Sequence, residues 1–263
     1  MVELDPLIRA FYAERYVEDD RLVRSGHGRL EFLRTQELIR RYLPGPGATV
    51  LDVGGATGVH ARWLAADGYV VKLVDPVAEH VATASEVGTF AAMVGDARKL
   101  EQADDSVDVT LLFGPLYHLV DAADRAQALA EARRVTRPGG LVVAAGISRY
   151  AGLLEYGNKG MLSEDTLPEF EVALTTGRNY DDPTGFTNAY FHHADELRAE
   201  FDQAGFDATE VLGVEGPAAA TLEHAAPADV PTLLPSAILL ARLVENDPNV
   251  MSTSFHFLAF GRA

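Results

Sequence analysis

The sequence predicts an α/β protein with a seven-stranded, mostly parallel sheet and helices on both of its faces. Three observations lead to this prediction. Short apolar runs typical of buried strands alternate with helical patterns, a glycine-rich turn joins the first run to a helix, and acidic residues follow two of the runs. Runs that alternate in this way pair in parallel through right-handed crossovers. The predicted strands are residues 50–53, 70–74, 90–94, 106–113, 141–145, 208–214 and 255–260.

The composition excludes several classes of protein. The chain has 263 residues and no cysteine, so disulfides, thiolate metal ligands and cysteine nucleophiles are absent. Its net charge of −17 repels phosphate backbones, and we expect no nucleic-acid partner. The first residues lack a secretory leader pattern, and no apolar run reaches membrane-spanning length. We therefore expect a cytoplasmic monomer or homodimer with no membrane partner.

The glycine-rich turn is the most informative segment for function. The run Val50 to Val53 is typical of a buried strand, and residues 59–66 read as a helix. Between them lies a turn of nearly bare backbone, which lets a ligand approach main-chain N–H groups. Its spacing differs from the Gly-x-Gly-x-x-Gly pattern that receives a pyrophosphate, and Asp52 favours a cationic ligand over a phosphate. The small residues of the turn are Gly54, Gly55, Ala56 and Gly58.

The segment Asp52-Val-Gly-Gly-Ala-Thr-Gly58 resembles the first motif of the class I S-adenosylmethionine-dependent methyltransferases, D/E-x-G-x-G-x-G, with Ala56 at the central glycine. The resemblance implies a Rossmann-like core at residues 48–148, S-adenosylmethionine as the cofactor, and in-line transfer of its methyl group. Asp75 and Pro76 end the second strand about 20 residues past the turn, where an acidic residue suits the two hydroxyls of a ribose. Asp75 alternatively caps the next helix.

Two later segments continue the resemblance. In the family, the segment equivalent to Gly95-Asp96-Ala97 reads the adenine ring, although Asp96 is alternatively a plain turn residue. The segment equivalent to residues 113–118 lies beside the methionine part and the reactive methyl group. The resemblance therefore assigns Phe113, Gly114 and Tyr117 to the cofactor site. It also places Tyr117 and His118 next to the methyl acceptor.

Two further parts surround this core. Residues 1–47 form a predicted N-terminal helical lid that ends at the Pro44–Gly47 breaker. Its Tyr12 and Tyr16 close over the cofactor or serve as packing residues, and Arg34 pairs with the cofactor carboxylate or lies on a solvated face. Residues 149–192 are a long, aromatic-rich insertion, interpreted as a helical cap over the substrate or as a structural or dimerising element. Residues 193–263 complete the core.

Candidate acceptor-binding and acid/base residues must lie at the carboxyl ends of the strands. His118 is the first candidate base because imidazole titrates near neutrality, with helix capping or packing as the alternative. One of the adjacent residues His192 and His193 is expected to reach the pocket, and Glu215 follows the sixth strand. His60 and His80 are predicted on the surface, and no spacing of His, Asp or Glu predicts a metal site. The remaining acceptor-binding candidates are Arg149, Tyr150, Tyr190 and Phe191.

These features predict a methyltransferase acting on a small-molecule acceptor, and the overall pattern resembles the enzymes of bacterial secondary metabolism. O- or N-methylation is the default expectation, and C-methylation is an open alternative. A second class of protein is also open, a regulator or pseudo-enzyme that binds S-adenosylmethionine without turnover. A nicotinamide oxidoreductase ranks third, because Asp52 and the glycine spacing oppose a pyrophosphate.

Overall fold

The computed structural model describes residues 6–11, 22–180 and 186–263. Its sheet contains all seven strands that the sequence predicts, together with a short hairpin. The fifth strand is longer than predicted and includes the expected turn at 137–140, because Gly139 donates its N–H to Ala263 O at 2.7 Å beside the last strand. The strands are β1 (Thr49–Val53), β2 (Val70–Asp75), β3 (Ala91–Val94), β4 (Val107–Leu112), β5 (Thr136–Ser148), β6 (Arg178–Asn179), β7 (Ala189–His192), β8 (Asp207–Gly213) and β9 (His256–Arg262).

The strand order confirms the predicted sheet. β3, β2, β1, β4 and β5 lie side by side and pair in parallel. β9 pairs antiparallel with both β5 and β8, and β6 pairs antiparallel with β7, so the sheet is mostly rather than fully parallel. The parallel register brings the carboxyl ends of β1, β2 and β4 to one edge, where ligands bind in sheets of this kind.

Helices cover both faces of the sheet, as predicted. One face packs an apolar cluster that includes Leu129 and Phe201, and the other packs a cluster that includes Leu38 and Leu64; all four side chains are fully buried. Two short 3₁₀ turns occupy Gly216–Ala218 and Met251–Thr253. The helices are α1 (Pro6–Ala10), α2 (Gly26–Tyr42), α3 (Val59–Ala66), α4 (Ala78–Glu86), α5 (Pro115–His118), α6 (Ala122–Val135), α7 (Ala151–Asn158), α8 (Leu167–Thr176), α9 (Ala194–Gln203), α10 (Ala219–Glu223) and α11 (Val230–Val244).

The insertion contains α7, α8 and the β6–β7 hairpin, so it is not purely helical. β7 pairs with the last two residues of β5, Ile147 opposite Phe191 and Ser148 opposite His192. Ile147 also pairs with His256 of β9, which occupies one side of β5. β7 therefore lies on the other side, beyond the end of β4. This arrangement places the insertion at the carboxyl edge of the sheet.

The long helix α2 crosses this region from the N-terminal side. Ser25 caps it by accepting a hydrogen bond from the N–H of Gly28 at 3.0 Å, and such a cap stabilises a helix by about 1 kcal/mol. Leu30 of α2 packs with Leu222 of α10 and Ala237 of α11 in a small apolar cluster. Among the described residues, no helix is both long and apolar enough to cross a membrane.

Candidate active site

The turn after β1 leaves its backbone open to a cleft. Gly54 has a φ of +78°, and a Cβ there would lie 2.7 Å from Cδ of Pro115. A Cβ on Gly55 would lie 2.7 Å from Oδ2 of Asp52. Gly58 has a φ of +90° at the start of α3. Glycine is therefore required at these positions by backbone conformation or by close packing.

Asp52 lies directly beneath this turn. Its side chain is fully buried, and within the described part of the chain neither carboxylate oxygen has a hydrogen-bond partner. Burial, together with the charge of Asp75, raises the pKa of Asp52 to about 7. A buried carboxyl group without a partner fits a ligand that brings positive charge to the turn, as S-adenosylmethionine does with its ammonium and sulfonium groups.

Asp75 joins the turn to the next helix. Its Oδ2 accepts the N–H of Ala56 at 2.9 Å, and its Oδ1 accepts the N–H of Val77 at 2.9 Å. Nδ1 of His80 lies 3.3 Å from the same Oδ1. The carboxylate thus orders both segments that flank the cleft, and it also lines the cleft itself. Ribose binding by Asp75 stays a prediction, and the alternative contact with the following helix is present as well.

The cleft has an empty volume of about 940 Å³ and runs along the carboxyl edge of the sheet. His60 and His80 both line it, so their predicted placement on the surface is wrong. His60 follows Gly58 by two residues, and its ring lies 5.0 Å from that of Phe113. The sequence signal for His60 is its position in the first helical turn after a ligand-binding loop. The other lining residues include Ile8, Glu31, Thr35, Gly54, Gly55, Ala56, Asp75, Pro76, Phe113, Gly114, Tyr117, Val214, His256 and Leu258.

A second cavity of about 500 Å³ meets the first at Gly54 and Pro76. Gly95, Asp96 and Ala97, the predicted adenine segment, line it. The carboxylate of Asp96 is engaged by Arg98, whose Nη2 lies 2.7 Å from Oδ2. The two cavities together extend from the predicted adenine segment to the segment predicted beside the methyl group, which is the order that the cofactor requires.

His118 lines the second cavity and not the main cleft. Its ring stacks on Phe186 of the insertion at 5.7 Å and meets Tyr117 edge-on at 4.7 Å. Burial lowers the pKa of His118 to about 4. The imidazole is therefore neutral near pH 7 and is able to accept a proton, while its packing against Phe186 also fits the alternative structural role.

The cofactor contact predicted for Arg34 is not found. Arg34 is fully buried, and its guanidinium bonds to Glu37 at 2.6 Å, to Glu245, and to the carbonyl oxygen of Val214 at 3.3 Å. We assign it a structural role, because its donors are already committed within the protein. Tyr12 and Tyr16 lie outside the described residues.

The candidates from the insertion form a separate network next to α9. Nη2 of Arg149 lies 2.5 Å from Glu196 Oε2 and 3.1 Å from the hydroxyl of Tyr190. The backbone N–H of His193 donates to the same Glu196 oxygen at 3.0 Å and helps to begin α9. Buried His192 lies 3.4 Å from Glu200. Among the described residues, those that line the two cavities do not include Arg149, His192 or His193, and the predicted roles of these three residues at the acceptor stay predictions.

The aromatic candidates of the insertion are not among the described residues that line the two cavities. Phe191 is buried in a cluster with Ile147 and Ala151. The ring of Tyr150 lies 5.5 Å from that of His193, and the guanidinium of Arg125 lies 3.7 Å over the ring of Tyr190. Their part in acceptor binding stays a prediction. Phe186, which is not among the predicted acceptor-binding residues, touches the Tyr117–His118 segment.

Glu215 lies in a cluster that the sequence did not predict. It is fully buried, and its Oε1 lies 2.5 Å from Nδ1 of His256 and 3.5 Å from Nε2 of His27. Glu31 approaches the same His256 nitrogen at 3.8 Å. No sequence spacing could reveal this group, because its members come from three distant elements. Two of them, Glu31 and His256, also line the main cleft.

Comparison with known proteins agrees with this geometry. Residues 51–144 match the family model described as a methyltransferase domain. The ubiquinone/menaquinone biosynthesis C-methyltransferase UbiE of Acidiphilium cryptum is 38% identical over 117 residues, which cover 40% of this chain and 44% of the relative. The demethylmenaquinone methyltransferase of Mycobacterium sp. (strain KMS) is 33% identical over 168 residues, 61% of this chain and 64% of that protein. The chain thus spans between about two fifths and two thirds of the length of these relatives.

A solved structure with bound cofactor has the same fold. This structure is phosphoethanolamine N-methyltransferase 2 of Haemonchus contortus in complex with S-adenosyl-L-methionine. It superposes with a TM-score of 0.59 at 16% sequence identity, and the superposition covers 98% of this chain and 60% of the Haemonchus contortus chain. Residues 51–144 are therefore similar to methyltransferase domains, and the chain has the fold of the class I S-adenosylmethionine-dependent methyltransferases. S-adenosylmethionine is the cofactor of this domain, and the open glycine turn and unpartnered Asp52 fit it.

Proposed function

We propose that the protein transfers the methyl group of S-adenosylmethionine to a small-molecule acceptor. One observation carries the proposal: the main cleft continues from the glycine turn, past Tyr117, to Val214 and Leu258 at the ends of β8 and β9. The lining of the main cleft therefore extends beyond the residues that are predicted to bind the cofactor. The remaining space is lined mainly by apolar side chains, as is typical of sites for small ligands.

The cofactor supplies an already activated methyl group, so the protein has mainly to position the acceptor and exclude water. The cleft is lined by the apolar side chains of Ile8, Phe113 and Leu258. Phe186 of the insertion packs against Phe11 of the N-terminal region at 5.3 Å between ring centroids. These contacts support a cover made of both additions to the core, with residues 149–192 as the substrate cap and the N-terminal segment as a lid.

His118 is the base that we propose, if the acceptor requires one. It is neutral near pH 7 because burial lowers its pKa to about 4, and it adjoins Tyr117, which lines the main cleft. Methyl transfer would break the bond between the sulfonium sulfur and the methyl carbon, with S-adenosylhomocysteine as the leaving group. The proton of the acceptor hydroxyl, amine or ring carbon would pass to an imidazole nitrogen of His118.

The acceptor class follows from the relatives and from the character of the cleft. We propose an aromatic acceptor, and C-methylation of a quinone-type ring is favoured over O- or N-methylation because the first two relatives named above act in menaquinone biosynthesis. The apolar, aromatic lining suits such a ring. Secondary metabolism in the cytoplasm is the wider setting that we propose.

Turnover of methyl-labelled S-adenosylmethionine tests the proposal. Candidate acceptors are a short-chain demethylmenaquinone, simple phenols and aromatic amines, and NMR of the product distinguishes C-, O- and N-methylation. Asp75→Asn should lose turnover, whereas the exposed control Asp104→Asn should retain it. Tight cofactor binding without transfer to any acceptor class would favour a regulator or pseudo-enzyme. Failure to bind the cofactor at all would overturn the whole proposal.

A further inference from the structure

Four metal-ligating side chains converge beside the main cleft. His27 and Glu31 lie one turn apart on α2 and so share a face of that helix. Glu215 directly follows the last residues of β8, and His256 begins β9. One ligand atom from each residue lies within 4.8 Å of the corresponding atoms of the other three. We refer to these four residues as the His₂Glu₂ cluster.

The backbone holds Glu215 at the centre of the His₂Glu₂ cluster. Its side chain is fully buried, and its Oε2 accepts hydrogen bonds from the N–H groups of Phe255 and His256, both at 3.1 Å. This leaves Oε1 directed toward the imidazoles of His256 and His27, at 2.5 and 3.5 Å. A carboxylate anchored through one oxygen presents the other in a fixed position, as metal sites require.

His27 has the orientation typical of a metal ligand. Its Nε2 faces the cluster and is buried without a hydrogen-bond partner in the described part of the chain. Its Nδ1 faces Oε2 of Glu223, 3.7 Å away, and its ring rests on Phe255 at 4.8 Å between centroids. Metal-bound histidines commonly direct the second ring nitrogen to a carboxylate, which orients the ring and selects its tautomer.

We propose that the His₂Glu₂ cluster binds one divalent transition-metal ion, such as Zn²⁺, Mn²⁺, Fe²⁺ or Co²⁺. Imidazole nitrogens select these metals over Ca²⁺ and Mg²⁺, which prefer all-oxygen sites. Two carboxylates also neutralise the charge of a divalent ion. In a tetrahedral site with ligand bonds of about 2.1 Å the donor atoms lie about 3.4 Å apart. The donor atoms of the cluster all lie within 4.8 Å of one another, so metal binding requires the most distant pairs to approach by up to about 1.4 Å. It also requires Oε1 of Glu215 and Nδ1 of His256, now 2.5 Å apart, to separate.

The location suggests what the ion does. Glu31 and His256 line the main cleft, so the ion has an open side toward the space assigned to the acceptor. Resting on the proposed function, we infer that it coordinates a hydroxyl or carbonyl oxygen of the acceptor and acts as a Lewis acid. The competing explanation is an internal ion pair between protonated His27 and Glu215 that needs no metal.

Metal titration of the cofactor-free protein separates these explanations. Isothermal calorimetry with ZnCl₂ and with MnCl₂ should give one ion per chain. His27→Gln and Glu31→Gln should each weaken binding by more than about 100-fold, and Glu223→Gln by about 10- to 100-fold. The matched controls are His224→Gln and Glu86→Gln, both exposed and outside the cluster, which should bind as the wild type does.

A measurement on the unmutated chain guards against variants that misfold. Loading with Cu²⁺ should give imidazole nitrogen couplings in pulsed electron paramagnetic resonance. The proposal fails if the folded wild type binds none of these ions stoichiometrically, or if the cluster variants bind them unchanged. It also fails if no metal binds and the same variants lose affinity for S-adenosylmethionine, because the cluster would then hold the cofactor's ammonium group. Metal binding without methyl transfer would instead count against the proposed function alone.

Discussion

The substitution Asp52→Asn tests the idea that the glycine turn rests on a carboxyl group prepared for a cation. Burial and the neighbouring Asp75 raise the pKa of Asp52 to about 7 in the folded, cofactor-free protein, against an ordinary value near 4. A carboxyl group whose pKa is raised on folding binds more protons in the folded than in the unfolded chain. Its contribution to stability is therefore lost as the pH rises from about 4 to 7.

The expected change in the free energy of unfolding follows from the shift of about three units in the pKa of Asp52. This shift corresponds to about 4 kcal/mol in total, of which about 3 kcal/mol falls between pH 5 and 8. Urea unfolding of the wild type and of Asp52→Asn should be measured across that range without cofactor. The free energy of unfolding of the wild type should fall by about 3 kcal/mol relative to the variant, since the amide cannot ionise. Taking this difference cancels the titration of other groups.

Cofactor binding provides the second readout. Near pH 7 the cation should draw Asp52 into its ionised form, so calorimetry in buffers of different ionisation enthalpy should detect proton release in the wild type and less in Asp52→Asn. Asp104→Asn, whose carboxylate is exposed and paired with Arg134, is the control. A stability difference that stays constant from pH 5 to 8 would refute the reasoning about Asp52.

The other predictions concern the rest of the site. Asp75→Asn should weaken S-adenosylmethionine about 10- to 100-fold by calorimetry, and unchanged affinity in a folded variant would exclude a ribose contact. Ala56 has a φ of +46°, so Ala56→Gly should raise the free energy of unfolding by about 0.5–1 kcal/mol; a loss would show that the strain is negligible. If His118 is the base, His118→Asn should lower turnover by about 10²–10⁴-fold, and the acid limb of the wild-type rate profile should lie near pH 4 rather than near 6.5; equal rates would leave it a packing residue. Phe186→Ala should impair use of the acceptor while preserving cofactor affinity, unlike Tyr180→Ala, whose side chain is 64% exposed.

The local pattern of apolar and turn residues is sufficient to predict the core fold of this protein. Each strand is a short apolar run bounded by turn residues, and parallel pairing brings the carboxyl ends of β1, β2 and β4 together whatever the details of packing. The glycine turn, Asp52 and Asp75 lie directly at those ends, so their position in sequence predicts their position in space. This is why the fold and the cofactor segment are predictable without coordinates.

The insertion shows where such prediction ends. Its aromatic content indicates an ordered element, but not which aromatic residue faces the ligand. The register of β7 against β5 directs Arg149 and Tyr190 toward Glu196, while Phe186 reaches His118. A shift of one residue in that register would exchange the two faces, and this choice depends on long-range pairing rather than on local sequence.

Contacts between residues far apart in sequence also determine whether a charged side chain is buried and which groups it pairs with. Arg34 is an ordinary helical arginine in sequence, yet Glu245, 211 positions away, completes its burial. His27 and Glu31 meet Glu215 and His256 only because β8 ends and β9 begins beside α2. The sequence determines by itself the sheet and its cofactor-binding edge, since period and turn chemistry are local. Tertiary structure decides which charged groups are paired, buried or left facing the cleft, because their partners come from segments with no sequence relation to one another.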